Sequence, residues 1–259
     1  MYAEERQQAI ATQVLAVGRA SVADLAQTYA VTTETVRRDL HLLDKAGVVR
    51  RVHGGAVPAR SLQLAEQGVR QRGMTRTKQK AAIAAAAADY LPAAGSSVLF
   101  DAGTTTMRVA ELVPTDVELV VVTNSIPVAN KLTGNPAVTL QLLGGRVRGL
   151  TQAVVGEPAL QALQALRIDV AFIGANGVSI RHGLSTPDSD EAAIKRAMIE
   201  SANYVVVTTD STKIGQEDLV SFAPLCAVDV LITDQDITER ARAALVEAGV
   251  EVICVQEMS

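Results

Sequence analysis

The apolar positions of the first forty-five residues recur with a helical period. In EERQQAIATQVLAVG, Ile10, Val14 and Val17 share one face, and Gly18 stops the segment. SVADLAQTYA follows, with Ser21 suited to an N-cap and Val22, Leu25, Ala26 and Tyr29 on one side. After a turn at Ala30-Val31, Thr32 caps a third helix that runs to about Ala46 and ends at Gly47. Val36, Leu40 and Leu43 stand at i, i+4 and i+7 in that helix, a single apolar stripe. Thr33, Glu34, Thr35, Arg37 and Arg38 all lie off the stripe. The pattern then alternates in VVRRVHGGAV and breaks at Gly54-Gly55, which predicts a small hairpin.

From about Arg76 helix and strand patterns take turns. Apolar runs predict strands at Ser97–Phe100, Glu118–Val122, Val138–Leu142, Val170–Ile173, Tyr204–Thr208, Val228–Thr233 and Glu251–Cys254. Helical stretches at 76–91, 105–113, 126–133, 157–166, 189–202 and 237–248 separate several of them. Continuous apolar strands between helices imply an α/β unit with a mostly parallel sheet covered on both faces. Residues 58–75 show no strand and only weak helical periodicity, a linker with some helix. The expected organisation is therefore a first domain at 1–57, a linker at 58–75 and a second domain at 76–259.

Composition alters this picture in two places. At 48% hydrophobic and 20% charged the chain is an ordinary globular protein, but aromatics are only 3% and Trp is absent, which argues against a single-strand binder built on stacking platforms. The net charge of −4 hides an asymmetry: residues 1–80 hold thirteen Lys/Arg against seven acids, a surplus of +6, and the remainder carries −10. A basic front on an acidic body is expected when one part meets a polyanion. Cys226 and Cys254 have neither disulfide nor zinc spacing and sit in apolar runs, so buried free thiols in a reducing, cytoplasmic setting are expected, and no metal. MYAEERQQAI lacks an apolar signal-peptide core, and AAIAAAAADYL (81–91) is too short for a membrane span.

Two short helices with a tight turn, the second presenting polar side chains from its N-terminal half, make a helix-turn-helix, and a basic hairpin after it is a wing. Arg50, Arg51 and His53 on that wing would sit where a duplex backbone passes; for His53 a plain turn role weighs equally. With Arg6, T-x-x-T-V-R-R-D-L at 32–40 and R-R-V-H-G-G-A at 50–56, this region resembles the DeoR (deoxyribose regulator/glycerol-3-phosphate repressor) family of bacterial transcription regulators. The resemblance implies a winged helix-turn-helix whose recognition helix contains Thr35, Arg37 and Arg38, with Thr33 beside them. Either arginine could contact guanine edges bidentately or grip phosphate.

Each predicted strand except the last two leads into a polar tail: Asp101-Ala-Gly-Thr-Thr-Thr106, Thr123-Asn-Ser125, Gly144-Gly-Arg146, Gly174-Ala-Asn-Gly177 and Asp210-Ser-Thr-Lys213. In open α/β sheets ligands bind outside the carboxyl ends of strands. A strand running through Gly103 and three threonines into a helix offers backbone N–H groups, hydroxyls and a helix dipole, a cradle for phosphate. It is neither a Walker A loop nor a dinucleotide fingerprint, and GGRVRG at 144–149 is a poor substitute for the latter, so no cofactor is expected. Glu191 and Lys195, at i and i+4, fit a surface ion pair or a pocket pair equally well. LFDAGTTT, VVTNS, LLGG, FIGANG, the E-x-x-x-K of 191–195 and DSTKIG occur in the order of the DeoR-family sensor domain, which is similar to the ribose-5-phosphate isomerase-like fold. That resemblance implies a phosphorylated sugar or polyol as ligand. By position, Asp101, Gly103, Thr104, Thr105 and Thr106 match its phosphate loop, and Thr123, Asn124, Gly145, Asn176, Glu191, Lys195, Asp210 and Lys213 its pocket edge. GANGVS with HGLSTPD looks most like fructose-type regulators of actinobacteria, which makes fructose-1-phosphate the first candidate.

The resulting expectation is a repressor of sugar catabolism, not an enzyme, whose partners are double-stranded operator DNA, a sugar-phosphate effector and further copies of itself, as dimer or tetramer. The competing reading is a working sugar-phosphate isomerase with an attached reader, with Glu191 as base; the isomerases' Asp-Gly-Ala-Asp run has no counterpart at Asn176. A third, a ligand-free interaction adaptor, leaves the five polar tails without a purpose.

Overall fold

A computed structural model describes residues 3–17, 20–45, 48–52, 54–58 and 68–256. The chain divides into two compact units, Met1–Gln67 and Gly68–Ser259.

The first unit runs α1 (Ala3–Val17), β1 (Ala20–Ser21), α2 (Val22–Thr28), α3 (Thr33–Lys45), β2 (Val49–Val52) and β3 (Gly55–Pro58). Ile10 and Val14 of α1, Leu25 of α2, and Val36, Leu40 and Leu43 of α3 are buried together with Val49 and Ala56 of the hairpin. Ser21 caps α2 by accepting a hydrogen bond from the Asp24 backbone N–H at 3.0 Å. Thr32 caps α3 the same way, accepting from the Thr35 N–H at 3.1 Å. The strands form an antiparallel sheet in the order β1-β3-β2. Gly55 pairs with Ser21 in that sheet, and a Cβ there would lie 2.3 Å from the Ala20 carbonyl oxygen. Only glycine allows this approach, which is what closes the wing on the helices.

The second unit contains α4 (Val69–Met74), α5 (Thr77–Ala88), β4 (Ser97–Phe100), α6 (Thr104–Ala110), β5 (Leu119–Thr123), α7 (Ile126–Leu132) and β6 (Val138–Leu142). It continues with β7 (Arg146–Arg148), β8 (Ala153–Val155), α8 (Glu157–Gln164), β9 (Ile168–Ile173), β10 (Gly177–Ser179), β11 (Gly183–Thr186), α9 (Ser189–Ser201) and β12 (Ala202–Thr208). Beyond a 3-10 turn at Ser211–Lys213 come β13 (Val220–Ala223), β14 (Val230–Asp234), α10 (Glu239–Glu247) and β15 (Glu251–Val255). All seven sequence-predicted strands join one sheet, ordered β15-β14-β12-β9-β4-β5-β6. Every pairing in it is parallel.

Both faces of this sheet are covered. Val98 and Phe100 of β4 point into a core with α5, α6 and α7, and Leu99 between them points into another with α8, α9 and α10. That double burial is why the strands read as unbroken apolar runs. Phe100 and Phe172, neighbours on β4 and β9, stack at 5.3 Å between ring centres. Two small antiparallel pieces sit outside the main sheet, the β7–β8 hairpin and a sheet in the order β10-β11-β13.

The order of strands matters most for function. From β4 the chain moves outward to β5 and β6 on one side, then returns to lay β9, β12, β14 and β15 on the other. The direction reverses between β4 and β9, and a crevice opens at the carboxyl ends of strands where that happens.

The expectation of buried thiols fails. Cys226 and Cys254 are both exposed. Cys254 lies on β15, an edge strand, so an apolar stretch there covers only part of itself. Cys226 lies on a short 3-10 turn at Leu225–Ala227, of which only Leu225 is buried.

Candidate functional site

In the first unit, α3 buries one stripe and presents the rest. Thr33, Arg37 and Arg38 are exposed and Thr35 is half-buried. The Thr35 hydroxyl lies 2.8 Å from that of Thr32 and so takes part in the cap that starts the helix. Arg37 reaches back to Glu34 at 3.3 Å, an exposed i,i+3 pair of small energetic weight that holds the guanidinium over the outer face. Arg50 and Arg51 fall on β2; their side chains, and His53 altogether, lie outside the described residues.

Asp39, inside the V-R-R-D-L run, does something else. It is buried and accepts from Arg6 Nε at 2.7 Å and from Gln7 Nε2 at 2.9 Å, pinning α1 across α3. The arginines and the aspartate that make the run recognisable thus split the work: two face solvent, one holds the scaffold.

In the second unit the loops after β4 and β9 flank the reversal point, and their groups interlock. Asp101, 1% exposed, accepts from the Gly174 backbone N–H at 3.0 Å and is ion-paired with Lys195. Lys195 also donates to the Gly174 carbonyl at 2.9 Å and sits 5.5 Å from the centre of the Phe222 ring. Burial pushes the Asp101 carboxyl above its ordinary range, against the pull of Lys195 and the Gly174 N–H.

The i,i+4 spacing of Glu191 and Lys195 proves misleading in one respect. Both are buried, yet they do not pair with each other: Glu191 accepts from Arg148 Nη1 at 2.6 Å and from the Thr151 hydroxyl. Arg148 and Thr151 come from the β7–β8 region, whose Arg146 also pairs with Asp190. The hairpin is fastened to the start of α9 by these contacts. Glu191 is occupied, and the carboxylate base of the isomerase reading is not free to take a proton from a substrate.

Several of the sequence-selected residues shape loops. Thr123 donates to the Phe100 carbonyl at 2.7 Å, and Asn124 both accepts from the Ala102 N–H at 3.0 Å and donates to the Val154 carbonyl at 3.2 Å. Thr106 donates to the Asp101 carbonyl at 2.7 Å. Gly145 has φ 146°, and a Cβ there would lie 2.6 Å from the Val155 carbonyl oxygen, so it lets the β7–β8 hairpin fold on itself. Asn176 takes a 3.4 Å hydrogen bond from the Thr186 hydroxyl at the start of the small sheet. Gly103 precedes α6 in extended backbone, with a would-be Cβ 2.9 Å from the Thr106 hydroxyl.

What remains at the reversal point is unspent. Thr104 and Thr105 are 7% exposed, and among the described residues no protein group bonds to their hydroxyls. Lys213, half-buried on the loop after β12, has no acid partner among the described residues, while neighbouring Asp210 accepts from Thr212 and faces Arg76 at 3.6 Å. Sequence reasoning missed the residues around them. Lys80 of α5 is 4% exposed, within electrostatic range of Asp210, Lys213, Arg72 and Arg108. Burial first pulls its ammonium down to about 8, against the pull of Asp210, and the three cations add to the lowering. The Nε of Arg72 is buried without a partner. Arg76, in left-handed backbone at φ 50°, ties Asp234 at 2.8 Å and Asp236 at 2.6 Å. A lysine in the first turns of an alanine-rich helix carries no local signal of this; only the fold brings it to the crevice. Crowded cations near unbonded hydroxyls have the chemistry that an anion would complement. Among the described residues no cluster suited to a metal ion occurs, and no helix is long and apolar enough to cross a membrane.

Comparison with known proteins agrees with both halves. Residues 6–61 match the DeoR-like helix-turn-helix domain and residues 75–235 the DeoR C terminal sensor domain. The chain is 38% identical over 253 residues to the HTH-type transcriptional regulator GlpR of Haloferax volcanii, covering 98% of each chain. It is 34% identical over 254 residues to a putative aga operon transcriptional repressor of Escherichia coli O157:H7, covering 98% of this chain and 94% of that one. Among solved structures, ribose 5-phosphate isomerase A of Methanocaldococcus jannaschii superposes with a TM-score of 0.40 at 15% identity over 54% of this chain and 55% of that one, too slight a likeness to bear on activity.

Proposed function

This chain belongs to the DeoR family of transcription regulators, and on that premise we propose that the crevice between β4 and β9 holds the phosphate of a sugar-phosphate effector. The first unit is the DNA reader. Thr33, Thr35, Arg37 and Arg38 of α3 face the operator's base edges and backbone, with Arg50, Arg51 and His53 on the wing against phosphates. Thr104 and Thr105 bond the effector's phosphate, Lys213 and Lys80 balance its charge, and the sugar hydroxyls face Asp210 and Asn176. Fructose-1-phosphate is the first candidate. One observation carries the reading: two threonines, each 7% exposed and with hydroxyls that no described protein group bonds, stand near cations that outnumber their one carboxylate, Asp210, at the switch point of the sheet.

The effector favours one arrangement of the protein and so shifts the population away from the operator-competent one, releasing DNA. One winged helix reads only a short half-site, so the working form is a dimer or tetramer. A thermal-shift screen of phosphorylated sugars against their unphosphorylated counterparts tests the site. Stabilisation by the phosphorylated members only, lost in Lys213→Ala, is the expected result. A response to free sugars at equal strength contradicts it.

A further inference from the structure

Lys80 touches more than the crevice. Its ammonium donates to the carbonyl oxygens of Arg72, at 2.5 Å, and Thr75, at 2.9 Å, the C-terminal end of α4. α4 has only six residues, too few to hold a helix by internal bonds. None of its described side chains is buried, and Met74 is 81% exposed. It is held by polar anchors instead: Val69 N–H to the Leu150 carbonyl at 2.9 Å at one end, and Lys80 at the other. Gly73 lies against Thr104, a Cβ there falling 3.9 Å from the threonine methyl. Helix α4 is also the first element after residues 59–67, through which the chain comes from the DNA-reading unit.

We propose that Lys80 is the coupling residue: the phosphate of the effector draws its ammonium away from the Arg72 and Thr75 carbonyls, and α4 loosens. An ammonium has three donors in compact geometry, and a dianion outcompetes neutral carbonyls for them. The location favours the exchange, since Lys80 stands among Arg72, Arg108 and Lys213 with one carboxylate, Asp210, in range, and Asp210 is already engaged by Thr212 and Arg76. With the anchor moved, α4 retains the Leu150 hydrogen bond at its start and the approach of Gly73 to Thr104. The segment leading to the reader is then freed at its root. The exchange turns occupancy of a buried site into a change in the chain between the units, and it rests on the phosphosugar reading above.

Hydrogen exchange read by mass spectrometry on the full chain tests it, with fructose-1-phosphate as one probe and inorganic phosphate as a second. Peptides covering Ser97–Ala110 should slow, while those covering 68–75 should exchange about two- to tenfold faster, the factor expected for the loss of one hydrogen bond. Slowing at Ser97–Ala110 with 68–75 unchanged or slower overturns the coupling and leaves the effector site standing. No slowing anywhere with either probe removes the effector reading and the coupling together. Lys80→Gln gives an independent check: 68–75 should exchange fast without any probe, and an unchanged rate there overturns the proposal.

Discussion

Lys195→Met offers the sharpest test of how the crevice is built. The substitution keeps the length and apolar stem of the side chain but deletes the ammonium that faces Asp101. The carboxylate, 1% exposed, then retains a single strong donor, the Gly174 N–H at 3.0 Å. Removing one partner of a buried pair costs about 3–5 kcal/mol, because the other charge is left in a poor solvent. For a unit of this size each kcal/mol moves the melting midpoint by about 2–4 °C, so a fall of roughly 10 °C is expected. Asp101→Asn should cost a similar amount by stranding the lysine. The double variant leaves no charge behind and should lose less than the two singles together, by at least about 2 kcal/mol.

The pH dependence follows with its sign. Burial already raises the Asp101 carboxyl, so the folded protein binds a proton that the unfolded chain releases, and this carboxyl's contribution falls as pH rises through the raised value. Without Lys195 the carboxyl moves higher still. The variant can then shed its penalty by protonation, so its deficit should shrink as pH falls. Urea unfolding of the sensor transition, followed by circular dichroism at pH 5, 6 and 7, measures this. A Lys195→Met deficit under about 1 kcal/mol at pH 7, or strictly additive singles, would falsify the account of a desolvated, mutually dependent pair.

Other consequences can be checked directly. Arg37→Ala and Arg38→Ala should each weaken operator binding, by roughly 1–3 kcal/mol where the side chain reads a base and with a log–log salt slope shallower by about 0.9 where it grips phosphate; titrations by fluorescence anisotropy showing neither would remove α3 from the interface. Asp39→Ala strands Arg6 and Gln7 and should cost the reading unit roughly 2–3 kcal/mol, abolishing DNA binding through lost structure while the sensor transition stays in place; an intact first unit by circular dichroism would speak against it. Gly55→Ala forces a methyl onto the Ala20 carbonyl and should cost at least about 1–3 kcal/mol in the same unit, and a wild-type melting profile would show that the wing does not close as described. Lys80, ordinarily at 10.5 and here at about 8, makes the unfolded chain bind more protons between those values, so stability should rise with pH across that window and flatten above it; Lys80→Met should lack the rise in urea titrations from pH 7 to 10.

Local patterning by itself determined a good deal of this protein. The stripe of Val36, Leu40 and Leu43, with Thr32 before it, is a helix in any context that supplies a partner for its apolar face, and Arg37 and Arg38 must then face outward. Seven unbroken apolar runs had to become doubly covered strands, because a strand that is apolar at every position has no face to offer water. Their ends shifted by a residue or two, as with Val228–Thr233 against Val230–Asp234, since pairing and not apolarity sets where a strand stops. The three-residue strands β7, β8 and β10 left no readable period.

Tertiary structure decided the rest, because it depends on which distant groups share a volume. Glu191 and Lys195 stand one helical turn apart, yet one answers Arg148 and Thr151 and the other Asp101, since the chain reverses its strand order between β4 and β9 and sets different neighbours over each. Cys254 looked like core and is exposed, because β15 happens to be the edge. Lys80 entered the sequence only as one of thirteen basic residues in the front of the chain, and folding placed it out of water near three other cations. Charge at a buried point is a sum over everything nearby, and no stretch of sequence contains that sum.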